Sequence, residues 1–124
     1  MKIAIGRGLL ESVLDLAREL HPQEVILLLR GKVSRDKILI EDFLLPPFAS
    51  AGLDFAQFPS HMLPIDFSIV GTAHSHPSGS ASPSAADLNH FYGRVMLILA
   101  HPYRERSVAA YNSRGEPLTI DLKG

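Results

Sequence analysis

The chain has no cysteine. Disulfides, thiolate catalysis and Cys-ligated zinc are therefore excluded, and any metal must be held by His, carboxylate and water. An excess of either charge is missing too: 12 Lys and Arg against 13 Asp and Glu leave a net charge of -1. No basic stripe remains to meet a phosphate backbone, so a nucleic-acid partner is not expected. Nor does any apolar run reach membrane-spanning length. The opening MKIAIGRG has strand-like alternation where a signal peptide would have an apolar core, and the expected location is cytoplasmic. What is present is a chain of 124 residues, 46% hydrophobic, enough for one compact core and too short for two. A single domain over residues 1–124 is expected.

Periodicity supplies the elements. Lys2 to Ile5 reads as a short strand. Leu9, Leu10, Val13, Leu14, Ala17 and Leu20 then recur at helical spacing, up to a stop at His21-Pro22. EVILLLRG, beginning at Glu24, is continuously apolar and too short for a buried helix, which makes it a central strand. DKILIEDFLLPP is the next strand, closed by Pro46-Pro47. Phe48 to Pro64 is irregular and mixes Gly52, Pro59 and Pro64 with Phe55, Phe58 and Met62. Asp66 to Thr72 is a further buried strand. Ser82-Pro83 starts a helix that runs through SAADLNHFYG to about Gly93. Arg94 to Ala100 and Arg106 to Asn112 are strands separated by a turn at His101-Pro102, and Ser113 to Glu116 turns the chain into PLTIDL. Strands interleaved with two helices indicate an α/β layer fold with a mixed sheet.

Between the fourth strand and the second helix lies GTAHSHPSGSASPSAADL, residues 71–88. His74 and His76 are two apart at a strand end, so both side chains leave one face with their bases roughly 6.6 Å apart. The Gly/Ser loop that follows can bring Asp87 back over that strand end. Two imidazoles and a carboxylate are three protein ligands, which leaves the fourth tetrahedral position of a zinc ion to water, the arrangement of a catalytic site. Bound zinc lowers the pKa of that water from about 15.7 to about 7. Each part also has a plainer reading. An isolated His-x-His pair suits a hydrogen-bonded strand end, and Ser84 with Asp87 matches a helix capping box. The combination within one strand-loop-helix unit favours a metal site.

HSHP, five further residues and PSAAD resemble the signature of the JAMM metalloproteases, the catalytic MPN-plus domains: H-[ST]-H, seven residues, S-x-x-D. His74, Ser75, His76, Ser84 and Asp87 all match. PQEVILLLRG is similar to the family's upstream element, a glutamate that opens a central apolar strand. The resemblance implies a three-layer fold, a mixed β-sheet flanked by helices, related to that of zinc nucleoside deaminases; a deaminase itself is excluded, because its Cys pair is missing. It further implies one zinc per chain, with His74, His76 and Asp87 as ligands and water as the fourth. Glu24 becomes the general acid and base, a role its composition alone does not single out from Glu11, Glu19 or Glu41. Ser84 becomes the oxyanion donor.

The same resemblance implies hydrolysis of an amide or isopeptide bond at the C-terminal tail of ubiquitin or a ubiquitin-like modifier. Two related outcomes stay open: an amidase that trims the tail of a sulfur-carrier protein, and a non-catalytic MPN scaffold, which the intact ligand set disfavours. A flexible tail could be held as an added strand on an exposed sheet edge, with Phe55, Phe58 and Met62 as a groove wall or as core. His90, three residues after Asp87, shares its helix face and is open between a site role and plain surface. His21 is read as a helix end, His101 as a turn residue, Arg104 to Arg106 as a solvated turn, and Ser75 as strand packing.

Overall fold

The apolar spacing between Leu9 and Leu20 folds into helix α1, Arg7–Leu20, whose buried stripe is Leu10, Val13, Leu14 and Ala17. These are the i, i+3, i+4 and i+7 positions of one helix face. α1 ends at His21, whose backbone N–H donates to the Ala17 carbonyl; the next residue, Pro22, has no N–H to extend the ladder. Around the helix the chain forms β1 (Lys2–Gly6), β2 (Ile26–Val33), β3 (Lys37–Leu44), β4 (Ile69–His76), helix α2 (Ala85–Asn89), β5 (Val95–Ala100), β6 (Val108–Tyr111) and β7 (Pro117–Lys123). The computed structural model describes residues 1–45 and 68–124. The irregular segment with Phe55, Phe58 and Met62 lies outside the described residues. No helix among the described residues is long and apolar enough to cross a membrane.

The strands form one mixed sheet in the order β1-β3-β2-β4-β5-β6-β7, and β7 returns to pair with β1, so the sheet closes on itself. β2 with β3 and β6 with β7 are antiparallel, while β1 runs parallel to both β3 and β7. The α/β reading with a mixed sheet therefore holds. Closure is an addition to it, because periodicity marks strands without naming their partners. Alternate residues, Ile3, Ile5, Leu27, Leu29, Ile38, Ile40, Leu97 and Leu99, join the stripe of α1 in one core. Residues of the opposite phase, Leu28, Thr72, His74, Met96 and Ile98, are buried as well and by the period of two face away from that core.

β4 sits between β2 and β5, and every residue in it except His76 is buried. It extends beyond the expected Thr72 because its parallel pairing with β5 continues to His76 opposite Ala100. α2, by contrast, stops short of Gly93. The chain has to re-enter the sheet at Val95, opposite Gly71, and Gly93 makes that turn with a φ of 83° that only glycine adopts without strain. β6 likewise begins at Val108, after a 3-10 turn at Glu105–Ser107. In the Arg104 to Arg106 turn Glu105 is ion-paired with Arg7.

At Gly71 the backbone of β4 comes close to that of β5: a Cβ there would lie 1.9 Å from the Val95 carbonyl oxygen. The two backbones would have to separate to admit it. Gly71→Ala should therefore cost at least about 2 kcal/mol of stability, read as a lowered denaturant midpoint with an unchanged slope.

Candidate metal centre

The site is built by the register of β2 on β4. Ile26 stands opposite His74 in this antiparallel pair. One step outward, the Ser75 N–H donates to the Val25 carbonyl at 2.9 Å, and the Val25 N–H donates to Ser75 Oγ at 2.6 Å. Counted two residues back from Ile26, Glu24, which precedes β2, falls level with His76. Opposed residues of an antiparallel pair share a face and neighbours along a strand alternate, so Glu24, Ile26, His74 and His76 project to one side and Val25 and Ser75 to the other. A cleft of about 420 Å³ opens on that side, lined among others by Glu24, Ile26, His74, His76, Ser84 and Asp87.

Asp87 reaches the same point from α2. Ser84 is the N-cap: its Oγ accepts from the Asp87 N–H at 3.0 Å, and its own N–H donates to Asp87 Oδ2 at 2.8 Å. This reciprocal capping box fixes the first turn and satisfies two backbone donors. The carboxylate then has a second task. Oδ1 lies 3.4 Å from His74 Nδ1 and Oδ2 lies 3.1 Å from His76 Nε2. The hydrogen bond with His74 holds the Asp87 carboxyl far below the usual carboxylate range, against the opposing effect of burial. Capping and site formation thus coexist in one side chain.

The outer nitrogens of both rings are also engaged. His76 Nδ1 donates to the Ser80 carbonyl at 2.9 Å, and His74 Nε2 lies 3.1 Å from Thr72 Oγ1. A carbonyl can only accept, so the proton of a neutral His76 sits on Nδ1 and the lone pair of Nε2 faces Asp87 Oδ2. Two lone pairs at that distance repel. A divalent cation held between them would remove that repulsion. The donor set fits zinc: neighbouring ligand atoms around a tetrahedral ion with bonds of about 2.0–2.1 Å are about 3.3 Å apart, close to both separations. Among the described residues no three His, Asp or Glu side chains already converge on one centre. The rings instead meet different oxygens of Asp87, and a shared ion would draw them inward.

Residues 6–112 match the family described as prokaryotic homologs of the JAB domain. The chain belongs to this family. A Haloferax volcanii protein named "Probable metalloprotease" is 35% identical, over 97% of this chain and 79% of its own length. A crystal structure of a JAB1/MPN domain protein from Archaeoglobus fulgidus superimposes with a TM-score of 0.69 and 36% identity, covering 100% of both chains. A structure described as "JAMM: A Metalloprotease-like Zinc Site in the Proteasome and Signalosome" gives the same TM-score at 33% identity, over 100% of this chain and 98% of the other. The JAMM/MPN fold, α/β with a mixed sheet, and the metalloprotease-like family expected from HSHP and PSAAD are thereby borne out.

Within this JAB-family framework, some residues make contacts that their sequence reading did not include. Ser75, read as strand packing, is only 1% exposed, and its hydroxyl ties the backbone beside Glu24 to the strand of the two histidines. Its place between the histidines was the available signal. His90 lines the cleft at the C-cap of α2. His21 and His101, read separately, stack with ring centroids 4.5 Å apart, and His21 Nδ1 is 2.7 Å from the buried Tyr103 hydroxyl. Burial, and then the charge of nearby Glu24, push that hydroxyl above its ordinary range. The edge expected for a substrate strand is not free among the described residues, where every strand has two neighbours. Ser75→Ala would leave the Val25 N–H without its acceptor in a buried position. Equilibrium unfolding should register a loss of about 1–3 kcal/mol.

Proposed function

We propose that the chain is a zinc-dependent isopeptidase that hydrolyses the amide bond at the C-terminal tail of ubiquitin or a ubiquitin-like modifier. The observation that supports it most is the shared face: Glu24 is brought by β2 to the side of β4 where His74, His76 and Asp87 meet. His74, His76 and Asp87 would hold one zinc ion per chain. When bound, such an ion polarises a carbonyl and makes water acidic near neutral pH.

The chain's own groups then divide the remaining work. Glu24 takes a proton from the attacking water as its oxygen adds to the amide carbon, and returns it to the leaving nitrogen as the C–N bond breaks. Ser84 Oγ accepts from the Asp87 N–H, which leaves its hydroxyl proton to be donated to the oxyanion; such a donor can be worth roughly 3 kcal/mol. Thr72 and the Ser80 carbonyl hold the imidazoles in orientation, the usual task of groups behind metal-bound histidine. Ser78, Ser80 and Ser82 line the cleft with small polar side chains, a wall suited to a narrow, extended tail.

Metal analysis of the purified chain should find about one zinc, lost in His74→Ala. Glu24→Gln should keep the zinc and cleave a ubiquitin-like fusion at least about 100-fold more slowly. The direct test is incubation of the zinc-loaded chain with modifier conjugates, with and without chelator, and product masses as the readout. Conjugates left whole by the loaded chain would defeat the proposal; a shortened free tail with intact conjugates would move it to tail trimming.

A further inference from the structure

α2 is five residues long and none of them is fully buried. A helix so short has no stability of its own. Burial of α2 among the described residues therefore does not by itself explain why Asp87 stays over the end of β4. The contacts of Asp87 with the imidazoles belong to the metal centre and must rearrange when a cation takes the carboxylate. Other ties have to hold the segment.

Among the described residues two such ties are seen, and both come from the β6–β7 hairpin. The Tyr111 hydroxyl, on β6, donates to the Ala81 carbonyl at 2.6 Å. In the turn that follows, Gly115 lies against α2: a Cβ there would stand 3.2 Å from Leu88 Cδ1. Ala81 directly follows Ser80, whose carbonyl accepts from His76 Nδ1. Successive carbonyls of one loop are thus held by two different side chains, one on β4 and one on β6. β6 pairs with β5 and β5 with β4, so loop and histidines are referenced to the same continuous sheet.

We propose that Tyr111 is a positioning residue that clamps the loop of residues 77–83, so that Ser84 and Asp87 are held ready opposite His74 and His76. Tyr111 is not among the residues lining the cleft. It acts through the loop, and the idea rests on the zinc reading proposed above. The ordering of Asp87 is then done by the fold before metal arrives, and loss of the clamp weakens metal binding by the cost of ordering the loop.

The experiment compares the parent chain with Tyr111→Phe, which keeps the ring and removes only the donor. Competition with a chromophoric chelator should show zinc bound roughly tenfold more weakly, the lower end for loss of a group behind the ligands. In the metal-free variant, backbone NMR relaxation should show greater mobility confined to residues 78–88, with the amides of β4 and β5 unchanged. Leu88→Ala, which cuts the apolar tie and leaves β6 intact, should weaken zinc binding in the same direction and serves if the first variant does not fold. Parent-like zinc affinity in the variants, or parent-like mobility of that segment, would overturn the clamp. A parent chain that binds no zinc would defeat the metal reading instead, and the relaxation comparison would then decide the clamp by itself.

Discussion

Val25 and Ser75 exchange two hydrogen bonds where β2 meets β4, and the composition of the cleft depends on that exchange. Side chains alternate along a strand, so a slip of one residue would send Glu24 to the opposite face from the histidines. The apolar run of β2 cannot prevent such a slip by patterning, because Leu27, Leu28 and Leu29 are all buried and either phase would satisfy the core. A polar lock at the strand end does what the hydrophobic pattern leaves undone. Ser75 supplies it from between the two histidines, with an oxygen that takes the N–H a regular ladder would have given to a carbonyl.

Much of this was legible in the residues. α1 was marked by its stripe and by the His21-Pro22 stop, and β2 by a continuous apolar run. The candidate site was marked by two histidines and an aspartate whose spacing suits one strand-loop-helix unit, and the structure brings Asp87 within 3.4 Å of His74 and 3.1 Å of His76. What could not be read were relations between distant segments. The return of β7 to β1 joins residues near the two ends of the chain, and nothing local to Ile3 or Ile120 names the other. The stacking of His21 on His101 and the Tyr111 bond to Ala81 are of the same kind. Boundaries erred where tertiary pairing overrode local preference: β4 ran on to His76 because β5 continued beside it, and α2 ended early because Gly93 had to return the chain to the sheet.

Asp87 shows how one side chain serves two demands. As the third residue of a capped helix turn it needs one acceptor for the Ser84 N–H; as a partner of two imidazoles it needs both oxygens. These demands are compatible because Oδ2 can accept from Ser84 and still face His76. The cap also sets the rotation of the carboxylate, so the residue arrives at the cleft in a fixed orientation. Most of the conformational entropy of a flexible loop, about 1–2 kcal/mol for each backbone residue ordered, is then met during folding and not during binding.

Charge closes the argument, and it returns to the missing cysteine. Two neutral imidazoles and one carboxylate contribute a single negative charge, so a divalent cation among them would keep a net positive charge at the floor of the cleft. Two thiolates in place of the imidazoles would bring the ligand charge to minus three and reverse that sign, weakening the pull on a carbonyl oxygen. Glu24 could cancel the remaining charge if it joined the ligands. In the proposed function, its place just before β2, on a different element from Asp87, would let it border the site as a base while His74, His76 and Asp87 hold the ion. On the proposed reading, the separation of the two acidic groups is therefore part of the chemistry: one carboxylate would hold positive charge, and the other, kept apart, would move protons beside it.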